Sequence, residues 1–260
     1  MLIFSDLKKY YPENIWRTHP ESILKEYIQC ELLDSIFKLE DSASISFMGG
    51  TAIRIIYGSH RFSEDLDFDN FGLSFSDFKG IMNLVVKDMY LKGFNVEFRF
   101  VEKGAFHCYI KLPNILYSSG LSKHVSEKIS IRIDAVRKEK KIKPEPIFLN
   151  KFDVYRKILV NPADIILSQK LMTALKRKTQ KGRDFYDISY LYGFTEPNFL
   201  FIEKCLHTKK ELFVDNFLSQ CDKLDFKRLA SDVEPFLIDR QSVERVVNFK
   251  EFIFSKFKTN

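Results

Sequence analysis

Two adjacent glycines, Gly49 and Gly50, stand between a short apolar run and a helical pattern, and the acidic segment beyond them alternates with a period of two residues. Ser44 to Met48 reads as a strand and Ala52 to Tyr57 as a helix stopped by Gly58. A strand that feeds a helix through glycines lets a ligand approach the backbone and offers N–H groups to an anion. Thr51 adds a hydroxyl donor. Leu66-Asp67-Phe68-Asp69 reads as a second strand, and positions two apart on a strand point the same way. Asp65 and Asp67 therefore share a face, about 7 Å apart, with Leu66 and Phe68 on the other. Like charges at that spacing are unfavourable unless a cation lies between them. One reading is a solvent-exposed acidic edge. The other is a hard divalent cation such as Mg²⁺, held by one or two carboxylates and the phosphates of a nucleotide. The glycine turn upstream favours the second.

The rest of the chain divides by periodicity. Pro20 to Leu39 and Ser74 to Gly93 are helical, and strands are expected at Phe94–Val101, Ala105–Leu112 and Glu127–Val136. On the last of these Ile131 and Ile133 take the apolar face, while Asp134 shares the other with Arg132. If that strand neighbours the one bearing Asp67, Asp134 becomes a third carboxylate of the metal site, binding a second ion or taking the proton of an attacking hydroxyl. The segment Arg137 to Pro146, with two prolines, reads as a loop or interdomain connection, followed by a short extended piece, Phe148–Val160. Beyond it the pattern is helical: Pro162–Lys178, Arg183–Tyr192, Glu196–Leu206, Glu211–Gln220 and Arg240–Lys258. The expected fold class is α+β, a mixed sheet with flanking helices over residues 1–149, followed by a helical domain over residues 150–260 that closes the active-site cleft.

Within that helical half, Lys170 falls in the middle of the apolar stripe Ala163, Ile166, Leu167, Leu171 and Ala174, with Arg177 on the same face two turns on. A lysine there snorkels or meets a buried anion, for which a phosphate is the functional candidate. Asp184 lies within the face made by Phe185, Ile188, Leu191 and Tyr192, so it needs a partner, either Lys170 or a substrate hydroxyl. Asp187 falls off the edge of that face. Arg183 either touches phosphate or is solvated.

Composition narrows the functional classes. Hydrophobic residues make up 45% and charged ones 29%, which excludes wholesale disorder and a disulfide miniprotein; 26 phenylalanines point to an aromatic core. The net charge is +6, but Arg137 to Arg183 holds 14 Lys and Arg against four acids, a local excess of ten, so the remainder is net −4. Such a basic segment suits a polyanionic partner. Cys30, Cys108, Cys205 and Cys221 are far apart, without zinc spacing, and read as buried free thiols of a reducing compartment. His19, His60, His107, His124 and His207 share no ligand spacing and read as structural or surface residues. His60-Arg61 lies between the two front motifs, within possible reach of phosphate. The N-terminal twenty residues carry scattered charges and no apolar core of a signal peptide, and no stretch approaches the length of a membrane span, so a cytoplasmic protein is expected.

Taken together, these residues resemble a known family. A strand followed by two glycines, a D-x-D strand and a third carboxylate strand is similar to the DNA-polymerase-β-like nucleotidyltransferase superfamily. More narrowly, Gly49-Gly50-Thr51-Ala52-Ile53-Arg54 and Arg61-Phe62-Ser63-Glu64-Asp65-Leu66-Asp67-Phe68 resemble the AbiEii/AbiGii toxins. Pro162-Ala163-Asp164, Lys170-Leu171 and Arg183-Asp184-Phe185-Tyr186-Asp187-Ile188 resemble that family's later motifs, so the likeness runs from about Phe47 to Leu191. The resemblance implies a Mg²⁺-dependent transfer of NMP from a nucleoside triphosphate to an RNA hydroxyl, tRNA 3′ ends being the leading acceptor. It also implies a growth-arresting toxin with a separately encoded antitoxin. Mapped onto this sequence, Asp65, Asp67 and Asp134 are the metal and catalytic carboxylates, Gly49, Gly50, Thr51 and Lys170 bind the nucleotide, and Lys170 and Asp184 complete the catalytic set. The alternatives are the same chemistry on a small-molecule or protein hydroxyl, and a non-catalytic nucleic-acid-binding module.

Overall fold

In the computed structural model, which describes residues 2–138 and 142–258, the alternating segments pair into one mixed sheet. Its strands among the described residues are β1 (Ile45–Met48), β2 (Leu66–Asn70), β3 (Glu97–Glu102), β4 (Phe106–Pro113), β5 (Lys128–Arg137), β6 (Glu145–Lys151) and β7 (Val154–Val160). They lie in the order β3-β4-β5-β2-β1-β7-β6. β1 is antiparallel to β2 and parallel to β7, β2 is parallel to β5, and β3–β4–β5 and β6–β7 are antiparallel ladders. β3 and β6 are therefore the edges.

Alternation separates the two faces of the sheet. Phe47, Phe68, Ile133, Ala135, Ile158 and Val160 are buried on one of them. Following α1 (Glu13–Thr18), α2 (Pro20–Phe37) covers that face, with Phe37 against Phe68 at 6.2 Å between ring centroids. α3 (Gly49–Ile55) leaves β1 directly, and α4 (Phe75–Leu91) lays Phe78 against Phe100 and Phe106. Ser74 caps α4, its hydroxyl accepting from the Asp77 N–H while Asp77 accepts from the Ser74 N–H, so the start expected there is fixed by a capping box. A single turn, α5 (Ile115–Ser118), precedes β5.

Three expectations change. The glycines do not form a turn ahead of a helix at Ala52; they are its first residues, because the chain enters α3 straight from Met48. The segment Arg137–Pro146 is no interdomain connection. Arg137 ends β5, Glu145 and Pro146 begin β6, and the proline is tolerated because β6 is an edge. Residues 139–141 of that segment lie outside the described residues. The single extended piece expected at Phe148–Val160 is a hairpin, β6–β7.

The chain forms two compact units, Met1–Ala52 with Ser63–Val160, and Ile53–Phe62 with Asn161–Asn260. The division after the sheet falls at Val160 rather than at Leu149, since Leu149 lies within β6 and pairs with Arg156 of β7. The second unit contains α6 (Ala163–Lys176), α7 (Gly182–Leu191), α8 (Phe199–Leu206), α9 (Lys210–Cys221), α10 (Phe226–Val233), α11 (Glu244–Val247) and α12 (Phe249–Lys258). Phe185, Phe226 and Phe249 meet with ring centroids 5.0–5.5 Å apart and form its centre. The segment Ile53–Phe62 is stitched into this unit by backbone bonds from Phe62 N–H to the Phe236 carbonyl and from Ile238 N–H to the His60 carbonyl. The helix expected over Arg240–Lys258 is broken into a 3₁₀ turn and two helices. α10 was not anticipated, although Asp225 as its N-cap and apolar residues at 226, 229, 230 and 233 mark it. No helix among the described residues is long and apolar enough to cross a membrane.

Candidate active site

In the first unit the sequence-expected carboxylates lie on or beside two neighbouring strands. β2 and β5 are parallel neighbours, and Asp67 is the direct register partner of Asp134. The condition set for Asp134 as a third carboxylate is thus met in the backbone. Asp65, just before β2, reaches the same neighbourhood through β5: its Oδ1 accepts from the Arg132 backbone N–H at 3.2 Å, and its Oδ2 lies 3.1 Å from Arg132 Nη2. Arg132 Nε is 2.9 Å from Asp134 Oδ2, so one guanidinium bridges two of the three acids. Burial acts to lower the Arg132 pKa, but the charges of Asp134, Asp65 and Asp67 outweigh it and hold the group above the ordinary arginine value.

The second oxygen of Asp134 is occupied too. His107 of β4 is its register partner on the other side, and His107 Nδ1 lies 2.7 Å from Asp134 Oδ1. His107 had been read as structural or surface, and Arg132 only as a neighbour on the face. Neither role was legible, because both depend on which strands pair and in what register.

Gly49 has φ +79°, and a Cβ built there would lie 2.5 Å from Asp67 Oδ2. That carboxylate can approach the backbone of residue 49 so closely only because residue 49 is glycine. Thr51 departs from expectation. Its side chain is buried and its hydroxyl donates to the Asp65 backbone carbonyl, so it fixes the acidic segment and does not present a free donor to a ligand.

In the second unit, Lys170 meets buried anions rather than snorkelling, and those anions are protein carboxylates. Its Nζ is 3.0 Å from Asp184 Oδ1 and 2.8 Å from Asp187 Oδ2. Asp184 also pairs with Arg177 at 3.3 Å. Asp187 is not off the edge of its helix's buried face; it is fully buried, because Arg61 reaches it with two bonds of 2.6 Å. Arg61 is itself almost wholly buried and serves this pair, with a third bond to the Phe62 carbonyl. Burial pushes the Asp187 pKa up, but Arg61 and Lys170 pull harder and hold it below the usual carboxylate value. Lys170 is lowered by burial and raised by Asp187 and Asp184, ending above the ordinary lysine value.

A match to a protein-family model covers residues 31–248, nearly the whole chain, and the model is that of the nucleotidyl transferase AbiEii toxin of type IV toxin–antitoxin systems. The chain belongs to the AbiEii nucleotidyltransferase family. Its fold is also that of solved nucleotidyltransferases. JHP933 from Helicobacter pylori is similar at 15% identity with a TM-score of 0.56, over 92% of this chain and 94% of that one. A second H. pylori structure, described as a nucleotidyltransferase, gives the same identity and TM-score over 92% and 97%. Among curated proteins no sequence is close enough to count as a relative. This AbiEii-family chain is thus an enzyme of the nucleotidyltransferase class, with the D-x-D carboxylates and their strand partner on one side of its sheet.

The donor chemistry fits a divalent metal in part. Asp65 and Asp67 offer hard oxygen ligands, and glycine at position 49 lets the backbone come close to Asp67. Both oxygens of Asp134 are engaged by Arg132 and His107. Among the described residues no three His, Cys, Asp or Glu side chains gather closely enough to enclose an ion. Asp65, Asp67 and Asp134, expected as three ligands of one metal, do not form such a group, and Asp65 and Asp67 remain as the hard oxygen donors.

The cysteines are free thiols. Cys30, Cys108 and Cys221 are buried, and burial pushes Cys108 and Cys221 up to about 12. Cys205, expected to be buried, is half-exposed.

Proposed function

We propose that this AbiEii-family enzyme transfers a nucleoside monophosphate from a nucleoside triphosphate to a hydroxyl of RNA, the 3′ end of tRNA being the leading acceptor. It would act in the cytoplasm as the toxin of a pair whose antitoxin is encoded separately. The observation that carries the reading is the Asp67–Asp134 register pair beside a side-chain-free Gly49, with Asp65 tied to the same group through Arg132. Asp65 and Asp67 would hold Mg²⁺, which when bound supplies charge neutralisation for the triphosphate.

The chain's own residues do the rest by position and charge. The Gly49–Gly50 backbone lets phosphate oxygens approach next to Asp67. Thr51 keeps the Asp65 segment in register by its bond to the Asp65 carbonyl. The acceptor hydroxyl oxygen attacks the α-phosphorus, the bond from that phosphorus to the bridging oxygen breaks, and pyrophosphate leaves. Asp134 takes the hydroxyl proton, and His107 orients its carboxylate. Lys170 and Asp184 contribute through the ion network they form with Arg61, Arg177 and Asp187, which fixes α6 against α7.

Incubation with total RNA, Mg²⁺ and each α-³²P-labelled triphosphate in turn tests the proposal. Labelling of a small RNA by one triphosphate is expected. Label appearing only on a protein or small molecule, with RNA untouched, would overturn the acceptor.

A further inference from the structure

The β6–β7 hairpin presents two unlike faces. Its inner face is secured: Leu149, Val154, Ile158 and Val160 are buried, and Arg156 reaches Asp34 of α2 at 2.7 Å. Its outer face carries Pro146, Phe148 and Asn150 on β6 and Tyr155, Lys157 and Leu159 on β7, by alternation and register. Phe148 lies opposite Lys157, and Asn150 opposite Tyr155. The Phe148 and Tyr155 rings stack across the diagonal, centroids 5.3 Å apart and planes within 16°, yet they remain 57% and 67% exposed.

Single exposed apolar residues need no explanation. Two parallel rings at a sheet edge, with a lysine beside them and no carboxylate among the outward residues of the hairpin, are a different arrangement. Unpaired bases stack on such rings, and a nearby cation meets the phosphate backbone. The orientation is also right. Val160 pairs with Phe47 and Phe47 with Phe68, so these three point inward and Tyr155 and Lys157 share the opposite side with Asp67 and Asp134. β7 and β1 separate β6 from β2 by about 14 Å at the usual strand spacing, and Tyr155 lies five residues before Val160, about 17 Å back along β7, so the rings stand roughly 20 Å from Asp67, a gap that several nucleotides span.

We propose that the outer face of the β6–β7 hairpin is a stacking platform for unpaired nucleotides of the acceptor, with Phe148 and Tyr155 taking bases and Lys157 a phosphate. The proposal rests on RNA being the acceptor. It is tested on the full-length protein by fluorescence anisotropy with a fluorescein-labelled single-stranded oligoribonucleotide ending in CCA, and with a blunt RNA duplex as comparison. The Phe148→Ala/Tyr155→Ala variant is expected to bind the single strand about tenfold more weakly or worse, with duplex binding and melting temperature unchanged. Lys157→Gln should reduce the salt dependence of binding by about one phosphate contact. Tyr155→Trp should keep the affinity, and its emission should be quenched as the single strand binds. If the wild type binds the single strand and the double variant binds it equally well, the platform is refuted while the RNA reading stands. If the wild type binds no RNA, the acceptor reading fails and the platform with it.

Discussion

The protein holds two clusters built from the same residue types, and they are put to opposite uses. In the sheet unit Arg132 pairs with Asp65 and Asp134, beside Asp67, and the cluster is open on one side: the Asp65 and Arg132 side chains are 29% and 40% exposed, while Asp134 is 11% exposed. In the helical unit Asp184 and Asp187 face Lys170, Arg61 and Arg177, and the two acids are 3% and 0% exposed. Carboxylates that water can reach can take up a cation from solution. Carboxylates sealed against cations of their own chain cannot do so without disrupting the interior, and breaking such a pair leaves an uncompensated buried charge. Acidic motifs in a sequence are therefore sorted into ligand-binding and structural ones by what is buried with them.

Removing a partner from the sealed cluster should have the largest effect on the fold. Asp187→Asn is expected to cost about 3–5 kcal/mol in denaturant unfolding, since Arg61 loses its carboxylate partner and Lys170 one of its two. The same pair sets a pH window. Asp187 titrates lower when folded than when unfolded, so its contribution is complete above about pH 4 and is lost as pH falls through the folded value. Lys170 titrates higher when folded, so its contribution is complete below about pH 10 and is lost as pH rises through the folded value. Stability measured against pH should fall at both ends, and Asp187→Asn should flatten the acid limb. An unchanged acid limb would place the linkage elsewhere.

Two glycines sharpen the contrast at a smaller cost. A Cβ at Gly182 would lie 1.8 Å from the Leu229 carbonyl oxygen, a backbone atom that cannot step aside, so Gly182→Ala should destabilise by about 1–3 kcal/mol or more. At Gly49 the obstacle is the Asp67 carboxylate and a positive φ, so Gly49→Ala should displace that carboxylate and depress nucleotidyl transfer more than it lowers the melting temperature. Equal losses of stability in the two variants would erase the distinction. The smallest effect is expected at Arg132. Replacing it with Gln removes a cation that competes for Asp65 and Asp134, and the Mg²⁺ concentration for half-maximal activity should drop roughly fivefold, about 1 kcal/mol.

Much of this was legible in the sequence, for reasons that differ by element. The sequences of β2 and β5 alternate apolar and polar residues around Phe68 and Ile133, which puts Asp67 and Asp134 on the opposite face, although β2 is buried on both faces past Asp67 and Asp134 is itself buried. α4 announced itself by its Ser74 cap and apolar spacing. The place of Lys170 on the apolar stripe left snorkelling or a buried anion, and the structure shows the second. What stayed hidden was long-range. Arg61 lies more than a hundred residues from Asp187, and no local pattern marks a guanidinium destined for the interior. His107 reaches Asp134 only through strand register, and the hairpin β6–β7 was masked by prolines and lysines that an edge strand accommodates.

The sheet carboxylates as the site of transfer are tested most directly by measuring label transfer from an α-³²P nucleotide per folded molecule. Asp65→Asn and Asp67→Asn should be compared with Asp187→Asn at a temperature where all three are folded. The first two are expected to lose transfer while melting like the wild type, and the third to melt early yet transfer normally when folded. Transfer that persists in Asp67→Asn and disappears in folded Asp187→Asn would reverse the assignment of the two clusters.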